Sequence, residues 1–93
     1  MYATYVLRSM QPETRETTLA AAAEEFWPKL REAAGFRRFF LIEAEGGQTL
    51  GIALWDSEEH AAAFRPIADA WQARLDGLGH GRIARGAGEV TEV

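Results

Sequence analysis

The stretch FRRFFLIEAEGG, residues 36–47, decides the fold, because it predicts a strand that is apolar on both faces and that ends in a turn. A strand with one solvated face alternates apolar and polar residues, but here Phe39, Phe40, Leu41 and Ile42 follow one another directly. Both faces of this strand therefore need cover. A chain of 93 residues has few elements with which to cover the second face of this strand. Which molecule covers that face therefore bears on function.

The composition indicates one globular domain over residues 1–93, since 47% of the residues are hydrophobic and 26% are charged. The net charge of −4 argues against nucleic acid or an anionic membrane as a partner, because both require a basic face. The chain has no cysteine, so it cannot form a disulfide or use a thiol. It shows neither a secretory signal nor a membrane-length apolar run, and we expect a cytoplasmic protein.

The first half of the chain predicts a strand followed by a long helix. Residues 2–8, YATYVLR, are rich in β-branched and aromatic side chains, which favour a strand. Pro12 then opens a helix over residues 13–34, in which apolar residues recur at spacings of three and four. Gly35 ends this helix.

The second half repeats the pattern after the glycine pair that closes the opening stretch. This pair predicts a two-residue turn into a return strand, QTLGIALW, over residues 48–55. A second helix begins with Asp56 or Ser57 as its N-cap, and the tail, residues 82–93, predicts a weaker strand. The element order βαββαβ predicts a ferredoxin-like α+β fold, with a four-stranded antiparallel sheet and both helices on one face.

The two-residue turn also predicts which side chains share a face of the sheet. The face under the helices would contain Phe39, Leu41, Leu50, Ile52 and Leu54. The opposite face would pair Phe40 with Ala53, Ile42 with Gly51, and Arg38 with Trp55 in a cation–π contact. A longer turn would shift every pair. A second subunit, an apolar ligand or the tail would each cover the opposite face, and we assign Phe40 and Ile42 to a homodimer interface.

Residues 35–64, GFRRFFLIEAEGGQTLGIALWDSEEHAAAF, resemble the dimeric α+β barrel superfamily and, within it, the antibiotic biosynthesis monooxygenase type. The shared features are the Gly-Phe-Arg-like step after the helix, the hairpin, the aromatic residue and acid that end it, and the Ser-Glu-Glu-x-Ala helix start. The resemblance implies a homodimer. By analogy it also implies oxidation of an aromatic or polyketide-like compound by oxygen, in a pocket that needs neither metal nor flavin.

Two departures narrow what the resemblance implies. Haem-degrading members of the superfamily use an asparagine, and this chain has none, which disfavours that activity. Many members of the monooxygenase branch carry a histidine about two turns into the second helix, where this chain has Phe64.

The residues suited to line an aromatic pocket or to hold a phenolic proton are Tyr5, Arg38, Trp55, His60, Phe64 and Trp71. Each also has an ordinary structural explanation, so none is assigned a catalytic role.

No metal site is expected, because Glu58, Glu59 and His60 are consecutive and point apart on a helix. No cofactor is expected either. His80 lies among glycines and is predicted to be solvated.

Two prolines within the helical patterns, Pro28 and Pro66, predict kinks that lift the helices from the sheet. A cavity near Trp27, Phe64 and Trp71 would follow. A deep apolar pocket that holds a Tyr, His or Arg side chain would favour a small-molecule-binding, monooxygenase-like protein. A filled interior would favour the alternative, a non-catalytic dimeric barrel that acts as an interaction or stress-related module.

Overall fold

The computed structural model describes residues 1–93 and contains one antiparallel sheet with the strand order β2-β3-β1-β4. The strands are β1 (Tyr2–Ser9), β2 (Phe36–Ala44), β3 (Gln48–Trp55) and β4 (Gly81–Glu89). The first helix covers residues 15–32 and the second helix is Glu58–Gly77. Buried residues of both helices meet Ala53 and Trp55 on one face of the sheet. The predicted ferredoxin-like α+β fold is confirmed.

The first helix changes its hydrogen-bonding pattern just before Pro28. It consists of an α-helical segment, a π-helical segment and a second α-helical segment: Arg15–Ala21, Ala22–Phe26 and Trp27–Glu32. Proline lacks an N–H and clashes with the carbonyl one turn earlier, and a wider π turn relieves both problems. The departure from a regular α-helix therefore lies where the sequence predicts a kink.

The second helix begins at the N-cap Ser57, one of the two residues that the sequence suggests. The Ser57 side chain accepts a hydrogen bond from the backbone N–H of His60 at 3.3 Å. Unlike the first helix, this helix contains no π-helical segment, although Pro66 lies in its interior. The two prolines thus have different effects on their helices.

The turn between β2 and β3 has three residues, Glu45–Gly47, so the predicted register is wrong by one residue. Gly46 and Gly47 both have positive φ, at 75° and 71°, which glycine adopts without strain. The end of β1 also holds this turn, since the Met10 N–H donates to the Gly47 carbonyl at 2.6 Å. A three-residue loop of this kind is the next most common hairpin connection after the two-residue one.

The one-residue shift exchanges the two faces of β3 relative to the prediction, because successive side chains of a strand point to opposite faces. We call the face under the helices the inner face and the opposite one the outer face. The inner face of β3 carries Thr49, Gly51, Ala53 and Trp55. Leu50, Ile52 and Leu54, predicted beneath the helices, lie on the outer face instead. Phe39 and Leu41 remain on the inner face as predicted.

The outer face is a continuous apolar surface without a helix over it. Across β2, β3 and β1, its three rows are Ile42–Leu50–Leu7, Phe40–Ile52–Tyr5 and Arg38–Leu54–Ala3. Phe40 and Ile42 are 45% and 47% exposed. They occupy the uncovered face as predicted, but opposite Ile52 and Leu50. Arg38 lies opposite Leu54, so its predicted cation–π contact with Trp55 is wrong.

Candidate functional site

A cavity of about 110 Å³ lies between the inner face and the two helices. Its aromatic lining consists of Phe26, Phe39, Trp55, Phe64 and Trp71. The Phe26 and Trp71 rings stack with centroids 5.3 Å apart and planes 6° apart. The Trp55 and Phe64 centroids are 5.1 Å apart, at an angle of 43°. Both helices and the sheet therefore contribute rings to one aromatic enclosure.

The cavity exists because β3 presents small residues to it. Gly51 and Ala53 both line the space, next to the Phe39 ring. A Cβ atom at Gly51 would lie only 3.3 Å from the Phe39 Cζ. In the register predicted from the sequence, Leu50 and Ile52 would occupy the inner face and fill this volume. The three-residue turn thus determines that the protein has a cavity.

One end of the cavity is polar and is formed by Arg8 of β1, which is only 3% exposed. Its Nε donates to Gln72 Oε1 at 2.7 Å, and its Nη2 donates to the Gln72 carbonyl at 3.0 Å. Its Nη1 donates to Asp76 Oδ1 at 2.9 Å and to the His80 carbonyl at 3.0 Å. These four bonds fix the guanidinium against the second helix and the loop that follows it.

Asp76 is shared between two arginines. Arg82 donates from Nη2 to Asp76 Oδ2 at 2.6 Å, and Arg8 binds the other oxygen. Hydrogen bonds from Arg82 and then Arg8 lower the pKa of Asp76 to about 2, so this carboxylate is ionised at neutral pH. Two cations and one anion leave a net positive charge. Arg82 is exposed, whereas Arg8 is buried at the cavity, where that charge is less screened.

His80 is buried, so its predicted solvation is wrong. It is 4% exposed, and its Nδ1 accepts the Gln11 backbone N–H at 3.0 Å. Its Nε2 lies 2.6 Å from the Thr18 hydroxyl, which itself donates to the Thr14 carbonyl. Nε2 therefore carries the proton and the ring is neutral. Burial and, after it, the nearby Arg8 charge lower the pKa of His80.

A groove of about 400 Å³ adjoins the cavity, between the second helix and the strands β1 and β4. The two spaces share seven lining residues: Thr4, Tyr5, Val6, Trp55, Phe64, Ala68 and Gln72. Arg85 lies at the groove and donates to Asp69 at 3.0 Å, and Glu58 and Arg65 also line it. The groove therefore lies directly beside the cavity and shares part of its wall.

Of the six pocket residues predicted from the sequence, the structure brings Trp55, Phe64 and Trp71 together at the cavity. Tyr5 borders the cavity, but the alternation of β1 directs its ring to the outer face, over Gly86. A Cβ atom at Gly86 would overlap the Tyr5 hydroxyl oxygen. The Tyr5 hydroxyl therefore cannot serve the inner cavity.

His60 and Arg38 also lie away from the cavity. The His60 Nδ1 is 2.8 Å from the Ser57 hydroxyl, and its ring covers Gly35, whose φ of +75° suits glycine. Arg38 points to the outer face and lines surface grooves. Trp27, expected near the cavity, lies instead at a groove along the edge strand β2. These side chains support the fold or the surface.

Four polar residues at the cavity were not predicted from the sequence: Thr4, Arg8, Thr49 and Gln72. A signal for Arg8 existed, because it shares the alternation of Thr4 and Val6 and therefore had to point under the helices. Gln72 carried no such signal. It lies 64 residues from Arg8, and only the packing of the second helix brings the two together.

No protein-family model matches the sequence, and no curated protein matches it either. Solved structures with a similar backbone do exist. A proposed antibiotic biosynthesis monooxygenase from Deinococcus radiodurans has a TM-score of 0.81 at 16% identity, covering 100% of this chain and 95% of that one. SnoaB, a cofactor-independent oxygenase from Streptomyces nogalater, has a TM-score of 0.60 at 19% identity, covering 99% and 95%.

A dimeric ferredoxin-like protein from an uncultured marine organism has a TM-score of 0.69 at 16% identity, covering 99% of this chain and 90% of that one. At such identities the likeness concerns the fold. The chain therefore shares the ferredoxin-like α+β fold of these proteins. None of its helices combines the length and the apolar character that crossing a membrane requires.

Proposed function

We propose that this chain binds an aromatic small molecule, with one ring held in the inner cavity. The observation that carries the proposal is the enclosure of five aromatic side chains around about 110 Å³ of free space, closed at one end by Arg8. An apolar cavity of about 150 Å³ in another protein binds benzene, so the size suits a single ring. A larger, polyketide-like compound would have to extend into the adjoining groove.

Oxidation of that ring is the catalytic form of the proposal, supported by the fold shared with SnoaB and with proposed antibiotic biosynthesis monooxygenases. A phenol, once ionised, would supply the electrons. One atom of molecular oxygen would enter the ring to give a quinone, and the other would leave as water with the two hydrogens that the phenol loses. The cavity lining contains no His, Asp, Glu or Lys to remove the phenolic proton. That composition favours binding of a small molecule without its oxidation.

The experiment that tests the cavity is a thermal-shift measurement with phenol and toluene as single-ring probes. We expect both to raise the melting temperature of the wild-type protein. Ala68→Leu, which adds three carbons at the cavity wall, should abolish the shift. Ala63→Leu makes the same change at an exposed position of the second helix and should preserve it. Equal shifts in both variants would refute binding at this cavity.

We also propose that a second copy of the chain covers the outer face to form a homodimer. The rows of aliphatic and aromatic side chains on this face extend across three strands without a charge except at Arg38. Exposed apolar surfaces of this extent mark interaction sites, and closed two-fold symmetry is the commonest arrangement of identical subunits. A similarly folded protein is described as dimeric, which adds support. Sedimentation at micromolar concentration should give twice the 10.3 kDa mass of one chain.

A further inference from the structure

The segment that leads into the first helix is held by polar bonds rather than by buried apolar side chains. Residues 11–17 include no buried residue. The Gln11 N–H donates to His80 Nδ1 at 3.0 Å, and the Thr14 hydroxyl donates to the Leu78 carbonyl at 3.2 Å. Both acceptors belong to the loop that follows the second helix. The attachment of this segment to the second helix therefore depends on a few polar bonds.

Both ring nitrogens of His80 take part in this attachment. The Thr18 hydroxyl donates its hydrogen to the Thr14 carbonyl at 2.7 Å, so toward His80 Nε2, at 2.6 Å, it can only accept. Nδ1 then has the lone pair that accepts the Gln11 N–H. A second proton would have to bind at Nδ1, where it would face the Gln11 N–H and break that hydrogen bond. The attachment therefore requires a neutral His80.

The charged groups around His80 disfavour an imidazolium in this position. Arg8 of β1 donates from Nη1 to the His80 carbonyl at 3.0 Å. The carboxylate of Asp76, at the end of the second helix, is shared by Arg8 and by Arg82 of β4. The first helix presents the neutral Thr18 hydroxyl. A protonated ring would lack an acceptor for its Nδ1–H and would add to the positive charge of Arg8, so it is stable only once it leaves this position.

We propose that His80 is an acid-sensitive latch, whose protonation releases the start of the first helix from the end of the second helix while the sheet stays folded. A segment without buried side chains opens at a lower free energy than the core does. The latch is closed above pH 6.5, the ordinary pKa of histidine, and opens as the pH falls below that value, because the open state binds the proton more readily. It lies beside Arg8, at the polar end of the cavity.

The test is amide hydrogen exchange, measured by NMR on the wild-type protein from about pH 7.5 to about pH 5. The Gln11 N–H is protected from exchange by its bond to His80. After correction for the intrinsic pH dependence of exchange, its protection should fall by about tenfold for each pH unit below 6.5, because opening takes up one proton. Low concentrations of urea should change this exchange little, since a local opening exposes little surface.

The decisive variant is His80→Asn, which keeps a side-chain oxygen to accept the Gln11 N–H but cannot be protonated. The protection of Gln11 should then no longer depend on pH. His60→Asn changes the other of the two histidines, in the first turn of the second helix, and should leave the pH dependence of Gln11 as in the wild type. The nitrogen chemical shifts of the wild-type His80 ring should also show a proton on Nε2 at neutral pH.

Three results would overturn the latch. Protection of Gln11 equal to that of the β3 amides would mean that the segment opens only when the whole fold does. A pH dependence that persists in His80→Asn would show that another group controls the opening. A proton on Nδ1 of His80 at neutral pH would contradict the bond to Gln11. The exchange and chemical-shift measurements on the wild type decide the question even if His80→Asn does not fold.

Discussion

The inner and outer faces of the sheet are built from the same strands, yet they differ in the size and polarity of their side chains. The inner face combines small residues, Gly51 and Ala53, with a buried arginine, and it encloses a cavity. The outer face presents large aliphatic residues such as Leu50 and Ile52, with no buried charge. Small residues with a fixed cation suit a ligand, whereas a continuous apolar surface suits a second protein surface.

The largest expected effect is on the outer face. Ile52→Asp places a charge in its central row, next to Phe40 and Tyr5, and two-fold symmetry would bury that charge twice per dimer. We expect the dimer dissociation constant to rise by about a hundredfold or more, as measured by sedimentation equilibrium. Ala63→Asp adds the same charge on the exposed side of the second helix and should leave the dimer intact. An unchanged dimer in Ile52→Asp would show that the outer face is not the interface.

The next largest effect is a loss of stability, which we compare for an arginine on each face of the sheet. Arg8→Met leaves the Gln72 side chain and the Gln72 and His80 carbonyls without their donor, and we expect the free energy of unfolding to fall by about 3 kcal/mol. Arg38→Met, on the exposed edge of the outer face, should cost less than about 0.5 kcal/mol in the isolated subunit. Urea denaturation of both variants gives the difference. Equal losses would mean that the Arg8 bonds do not stabilise the inner face.

The sequence predicted the elements and their order because periodicity and capping are local signals. It also placed Phe39 and Leu41 inside and Phe40 and Ile42 outside, since alternation along one strand is local too. It failed at the pairing of β2 with β3. In QTLGIALW the more apolar alternating set is Leu50, Ile52 and Leu54, and the glycine pair favoured the shorter turn that would place this set under the helices.

The candidate site was predictable only in part. The helical spacing of Phe64 and Trp71 predicted that both rings lie on the apolar face of the second helix. The buried bonds of Arg8 and His80 were not, because they join residues more than 60 positions apart through the packing of loops and helices. The glycines on either side of His80 predicted a solvated loop, but this loop packs against the start of the first helix.

A smaller change in the free energy of unfolding is expected when a glycine on each face is replaced by alanine. Gly88 on the outer side has open space where a side chain would begin, so Gly88→Ala should raise the free energy of unfolding by about 0.5 kcal/mol. At Gly51 the same change meets the Phe39 ring at 3.3 Å, and repacking should offset the gain. Thermal denaturation of the two variants is the measurement. A larger gain for Gly51→Ala would show that the inner face is not closely packed there.

The smallest expected effect is a pH dependence of the free energy of unfolding, which comes from His80 on the inner side of the sheet. Because the folded state lowers the pKa of His80 below the ordinary value of 6.5, the unfolded chain binds a proton more readily. The contribution of His80 to stability is therefore complete above pH 6.5 and is lost as the pH falls toward the pKa of the folded state. In His80→Gln, the free energy of unfolding should vary less with pH in this window. An identical pH profile in the variant would contradict this role.

The most direct test of the two-face account is a methyl NMR experiment on the wild-type protein. Addition of phenol should shift the methyl signals of the inner residues Val6, Thr49 and Ala53. Dilution of the protein should shift those of the outer residues Leu7, Ile52 and Leu54. Ligand-induced shifts confined to the outer residues would contradict the account, because they would place the ligand on the face that we assign to the second subunit.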